Sequence, residues 1–185
     1  MVKVTLLGDS IRLIGYGKVV PEMLGDGYEV FQPGDNCRFA KYTLRLLYDL
    51  RNDMAGSDIV HWNNGLWDTA TGFDGDVFTS IDEYVENMVR IAKILKSRHK
   101  VVIFATTTAI DERVGDQTNE RIRAYNGALV PKLEEMGVII NDLYSLVYPN
   151  IDKYICDDRV HLSQEGINAC GRQVTEAIKN AAKLL

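Results

Sequence analysis

Three side chains have the types and spacing for nucleophilic acyl transfer. Ser10 closes the run Val4-Thr5-Leu6-Leu7-Gly8-Asp9-Ser10, and near the other end stands Asp158-Arg159-Val160-His161. A serine hydroxyl is a weak nucleophile until a base takes its proton. A histidine one turn after an aspartate can give one ring N–H to the carboxylate and keep the other nitrogen free as that base. Each motif also has a plainer reading. Gly-Asp-Ser turns the chain and caps a helix. Asp158 can cap a helix beside an incidental imidazole. The chemistry therefore requires a fold that returns the far end of the chain to Ser10.

A second segment, His61-Trp62-Asn63-Asn64-Gly65-Leu66-Trp67-Asp68, offers an electrophilic partner. An asparagine amide at the carboxyl end of a strand can donate to a developing oxyanion. Asn64-Gly65 also reads as a turn, which does not account for Asn63. Trp62, Trp67 and Phe73 form a candidate apolar or sugar-stacking wall, and Trp62 fits a core position equally well. Asp68, Asp74 and Asp76 match no calcium-loop spacing and read as solvated loop acids. Gly15-Tyr16-Gly17 lacks the full dinucleotide fingerprint and reads as flexible backbone at the site rim. Ile11-Arg12-Leu13-Ile14 is too apolar for the phosphate loop of a nucleotide or flavin binder.

The elements that must position these residues alternate between strand and helix. Apolar runs predict strands at Val2 to Leu7, Glu29 to Gln32, Asp58 to Trp62, Val101 to Ala105 and Val138 to Asn141. Their continuous rather than alternating hydrophobicity suits strands covered on both faces, hence a parallel sheet. Helical periodicity predicts a poor helix over 12–24, broken by Gly15 and Gly17, and better ones over 38–55, 80–97, 118–136 and 163–184. Thr79 or Ser80, Thr118 and Ser163 are start signals, and Gly137 is a stop. This alternation predicts one three-layer α/β domain over residues 1–185. Right-handed crossovers put every strand-to-helix loop on one edge, where such sheets bind ligands. The irregular stretches Gly65 to Phe78 and Thr106 to Gln117 both follow strands and should border the site.

The bulk numbers exclude several classes. Of 185 residues, 46% are hydrophobic and 25% charged, with a net charge of −5. No basic stripe marks a nucleic-acid binder. The cluster Lys96-Ser97-Arg98-His99-Lys100 reads as cations at a helix C-terminus. No apolar run approaches the ~20 residues of a membrane span. The first residues form a strand too short for a secretory core. Cys37, Cys156 and Cys170 show no metal-ligand or disulfide spacing, so reduced thiols in a cytoplasmic protein are expected.

Taken together, Gly8-Asp9-Ser10-Ile11, a strand-terminal Asn63, and Asp158-x-x-His161 followed by Leu-Ser-x-x-Gly resemble the SGNH (GDSL-type) esterases and acylhydrolases. The resemblance runs from residue 4 to about residue 175. It implies a flavodoxin-like α/β/α sandwich with five parallel strands in the order 2-1-3-4-5. It implies Ser10 as nucleophile, His161 as base, Asp158 as its orienting carboxylate and Asn63 as a side-chain oxyanion donor, with Asn64 as the competing choice. Ser10 N–H would be a second donor and a glycine N–H after the second strand a third, for which Cys37 and Gly34 compete. Asp9, His61, Trp62, Asn64 and Trp67 would complete the substrate surroundings. The third motif departs from the family's usual Gly-x-Asn-Asp, since His61 replaces the glycine, and looks like a branch reading His-x-Asn-x-Gly-Leu-x-Asp. The implied substrate is a small-molecule ester with a short acyl group, acetyl first, on a carbohydrate. No cofactor and no metal are implied. The competing reading is a non-catalytic module binding a small ligand or sugar on the same fold.

Overall fold

The computed structural model describes residues 1–185. Its centre is a five-stranded parallel sheet: β1 (Val2–Leu7), β2 (Tyr28–Phe31), β3 (Ile59–Trp62), β4 (Val101–Ala105) and β5 (Ile139–Asn141), in the order β2-β1-β3-β4-β5. The helices are α1 (Val20–Leu24), α2 (Ala40–Asp49), α3 (Leu66–Thr69), α4 (Ile81–Lys96), α5 (Asn119–Glu135), α6 (Leu143–Val147), α7 (Ile151–Tyr154) and α8 (Gln164–Ala182). The expected flavodoxin-like architecture and strand order are observed.

Strand alternation divides the core in two. Val4 and Leu6 of β1, Ile59 of β3, and Ile103 and Ala105 of β4 face one side, where Val20 and Leu24 of α1 and Cys170, Val174 and Ile178 of α8 cover them. Leu7, Val60, Trp62, Val102 and Phe104 face the other side, under α2, α4 and α5. Complete burial of each such side chain is worth roughly 1.5–3 kcal/mol. Both faces are therefore apolar, which is why the strand runs are continuous.

The long helices begin where the sequence signals them. Ser80, Thr118 and Ser163 each accept an N–H from three residues on: Glu83, Arg121 and Gly166. Such caps contribute about 1 kcal/mol each. Gly137 follows α5 with φ +71°. The main departure lies between β1 and β2. Instead of a helix over 12–24, residues Ile11–Gly15 form one wide π-type turn and Tyr16–Lys18 a tight turn, with α1 only afterwards. The expected helix over 38–55 also starts later, at Ala40, because residues 33–39 form the loop that meets Gly8.

Candidate active site

Gly8 to Ser10 leave β1 at the sheet's carboxyl edge, and the wide turn after them fixes their directions. Asp9 turns inward: its Oδ1 accepts Ile11 N–H at 2.9 Å and Asn63 Nδ2 at 2.7 Å. Its Oδ2 is buried without a partner. Burial pushes the Asp9 carboxyl above the usual range, against the donors Asn63 and Ile11 and the cation of Arg12. Ser10, next along, is half-buried and lines a cavity of about 490 Å³.

The far end of the chain reaches that cavity. Ile155 and Leu162 pair in an isolated bridge that closes the loop 156–161 just before α8. Inside it Asp158 Oδ1 accepts the N–H groups of Val160 (3.0 Å) and His161 (2.8 Å), and Asp158 Oδ2 lies 2.7 Å from His161 Nδ1. Partial desolvation pushes the Asp158 carboxyl up. The N–H groups of His161 and Val160 and the His161 ring outweigh it and hold the carboxyl well below its usual range. An ionised Asp158 accepts from Nδ1–H, which leaves Nε2 as the basic nitrogen. His161 and Val160 line the same cavity as Ser10. No hydrogen bond joins Ser10 Oγ to His161 in this unliganded geometry, and such contacts commonly tighten only around substrate.

Behind the serine stands Asn63, only 3% exposed. Its Oδ1 accepts the Tyr16 hydroxyl at 2.7 Å, so the amide orientation is set and Nδ2 keeps one N–H beyond that given to Asp9. A Cβ on residue 8 would come within 2.0 Å of Asn63 Oδ1, so only glycine at position 8 lets this amide sit against the strand end. Asn64 is tied at both ends, accepting Thr43 Oγ1–H and donating to Arg38 O. Each amide keeps one N–H, but that of Asn63 is anchored on Asp9, next to Ser10, whereas that of Asn64 is anchored on Arg38 in the loop after β2.

The remaining cavity wall is Asn36, Leu66, Trp67, Ala70, Phe78, Asp116 and Gln117. Both expected border stretches contribute. Trp67 and Phe78 each pack edge-on to Phe39 and remain partly exposed. Of the other expected substrate contacts, Trp67 alone reaches the cavity. Trp62 is wholly buried against Phe104, with ring centroids 4.9 Å apart. His61 is wholly buried on the α8 side, its Nε2 3.1 Å from Asn141 Nδ2, and burial pushes it down to about 3. Cys37 is wholly buried and clasps Gly8: Gly8 N–H points at its Sγ, and Cys37 N–H donates to Gly8 O at 3.1 Å. Burial pushes its thiol up to about 11. Gly34 lies in open space off the wall. Asp9 and Asn64 are buried behind it.

Three local expectations are corrected. Gly15-Tyr16-Gly17 is not flexible rim: Tyr16 is fully buried, and a Cβ at Gly17 would strike Arg12 O at 2.6 Å. Asp68 is no solvated acid. It is fully buried in α3 against the start of α2, accepting Ala40 N–H, and burial pushes it up to about 7. Phe73 is exposed but off the cavity wall. Sequence reasoning missed Asn36, Phe78 and Gln117 on the wall, and Arg12 beneath it. Arg12 is 1% exposed and donates to the carbonyls of Pro33, Gly8 and Asp35, pinning the loop after β2 to the serine loop. A lone arginine in the apolar run Ile11 to Ile14 was the available signal.

No protein-family model matches the chain. A GDSL esterase/lipase of Arabidopsis thaliana is 29% identical over 116 residues, which is 55% of this chain and 45% of that protein. A GDSL esterase/lipase of Oryza sativa subsp. japonica is 31% identical over 118 residues, again 55% of this chain and 45% of the relative. The chain thus spans about half the length of these curated relatives. Among solved structures, a lipase/acylhydrolase from Enterococcus faecalis superposes with a TM-score of 0.79 at 22% identity, covering 98% of this chain and 97% of that one. An acetylxylan esterase from Geobacillus stearothermophilus gives 0.78 at 19% identity, covering 94% and 92%. At these identities the structural likeness establishes the fold.

Proposed function

We propose that this chain is a serine carboxylic ester hydrolase of the SGNH (GDSL-type) kind, a reading supported by its GDSL esterase/lipase relatives. The observation that carries the reading is the shared cavity of Ser10 and His161, with Asp158 2.7 Å behind the imidazole. His161 Nε2 takes the Ser10 proton as the hydroxyl attacks the ester carbonyl. Asp158 keeps the ring in the tautomer that can do so and stabilises the imidazolium. The spare Asn63 N–H and Ser10 N–H stabilise the tetrahedral oxyanion. His161 then protonates the leaving alkoxide, leaving an acyl group on Ser10 Oγ. Water, deprotonated by His161, attacks that acyl-enzyme and releases the acid and the free serine.

The substrate we propose is a short acyl ester, acetyl first, of a hydroxylated carrier such as a sugar. Supporting this are the aromatic edges of Trp67 and Phe78 at the cavity mouth and the acetylxylan esterases among structures of the same fold. A fluorophosphonate probe tests the nucleophile: one adduct on Ser10, lost in Ser10→Ala, supports the reading, whereas an unlabelled wild type favours the non-catalytic binding module.

A further inference from the structure

We infer that the side-chain amide of Asn36 supplies the third oxyanion donor, in place of the backbone N–H that the resemblance implied. The inference rests on the esterase reading of this site. Donation to an oxyanion needs an N–H that faces the serine cavity and is not consumed inside the protein. The loop after β2 has no such backbone group beside the serine. Asn36 N–H donates to Asp35 Oδ1 at 2.7 Å, Cys37 N–H to Gly8 O at 3.1 Å and Arg38 N–H to Asn36 Oδ1 at 2.8 Å. Gly34, the other candidate, lies off the cavity wall.

The Asn36 side chain meets both conditions. It is half-buried and lines the cavity with Ser10 and His161. Its Oδ1 is committed to Arg38 N–H, which fixes the flip of the amide because a carbonyl must face that donor. Nδ2 is then on the opposite side and has no partner in the protein. Gln117, the other amide on the wall, gives one N–H to Leu66 O, which anchors its Nε2 on α3, while Asn36 Nδ2 is committed to no group. Arg38, whose N–H holds that oxygen, takes φ +47°, a region L-residues seldom adopt. Cys37 fits the same logic: at the position where the resemblance expects a free N–H, that N–H is spent on Gly8 O.

Two variants separate donation from loop structure. Asn36→Asp keeps the shape and the acceptor for Arg38 N–H and removes the donor, and Asn36→Ala removes the amide without adding charge. With p-nitrophenyl acetate, both should lose about 10²–10³ in kcat with KM within about twofold of wild type. Affinity for phenylboronic acid, which forms a tetrahedral adduct on the serine, should fall in parallel. Thermal unfolding of Asn36→Asp should stay near wild type. A kcat within about threefold of wild type in either variant would overturn the inference, as would lost turnover with undiminished boronate affinity. If wild type hydrolyses the ester through Ser10 while the Asn36 variants keep kcat, this inference alone falls. If Ser10→Ala is as active as wild type, the esterase reading falls with it.

Discussion

The Tyr16 hydroxyl donates to Asn63 Oδ1 at 2.7 Å inside a fully buried contact. This bond and the one from Asn63 Nδ2 to Asp9 hold the amide from both sides, so its remaining N–H has a fixed direction. Tyr16→Phe deletes one oxygen and leaves Asn63 Oδ1 buried without a donor, at a cost of about 1–3 kcal/mol in stability. A loosened amide should also lower kcat with little change in KM. Urea unfolding together with steady-state kinetics checks both; unchanged kcat would mean that Asp9 alone positions Asn63.

Asn63 and Asn64 should separate cleanly. Asn63→Ala should lose about 10²–10³ in kcat. Asn64→Ala breaks bonds to Thr43 and Arg38 within the wall's support and should cost about 1–3 kcal/mol of stability. Its kcat should stay near wild type in the fraction that folds. The reverse pattern would shift the oxyanion donor by one residue.

Asp158→Asn keeps an acceptor for the N–H groups of Val160 and His161 but removes the charge beside Nδ1. The imidazole then lacks both its tautomer control and its counter-charge. A loss of about 10³–10⁴ in kcat is expected, as for the serine-protease triad. A loss below tenfold would assign Asp158 to loop structure.

Stability against pH should carry two opposed slopes. Burial lowers His61 from 6.5 to about 3, so the unfolded chain binds a proton there that the folded chain refuses. Stability from this group is lost as pH falls through that window. Burial raises Asp68 from 3.8 to about 7, so the folded chain keeps a proton the unfolded chain has released. Stability from this group is lost as pH rises through its window, and Asp9, also raised by burial, adds to it. Between pH ~4.5 and ~6.5 each group alone gives up to about 1.4 kcal/mol per pH unit, of opposite sign. Stability of Asp68→Asn should therefore rise with pH there more steeply than wild type, and that of His61→Gln should fall. Urea titrations across that window check it; slopes of the same sign and size in both variants would contradict it.

The acyl preference is tested by comparing p-nitrophenyl acetate with the octanoate. Acetate should give the higher kcat/KM. A preference for octanoate would overturn the short-acyl proposal.

The elements were legible wherever hydrophobic period and start signals agreed, as in β1, β4 and the three capped helices α4, α5 and α8. Ser10, Asp158 and His161 were legible because each stands at a strand end or just before a helix, with chemistry in its side chain. The turn after Ser10 was not, because its form comes from Arg12 reaching carbonyls of a loop some twenty residues on. The depth of Trp62 and Asp68 was equally hidden. Nothing local distinguishes a tryptophan packed on Phe104 from one at a cavity mouth, or a buried aspartate capping α2 from a solvated one. Asn36 was missed for a related reason. Its proposed role depends on Cys37 N–H being spent on Gly8 and on Asn36 reaching the cavity of Ser10, which are tertiary facts.

The proposed esterase chemistry makes Ser10 a nucleophile served by His161. Hydrolysis of p-nitrophenyl acetate by wild type, Ser10→Ala and His161→Ala is the decisive comparison. Turnover in wild type that drops by about 10⁴ or more in both variants is the predicted result. Equal turnover in wild type and Ser10→Ala would contradict it.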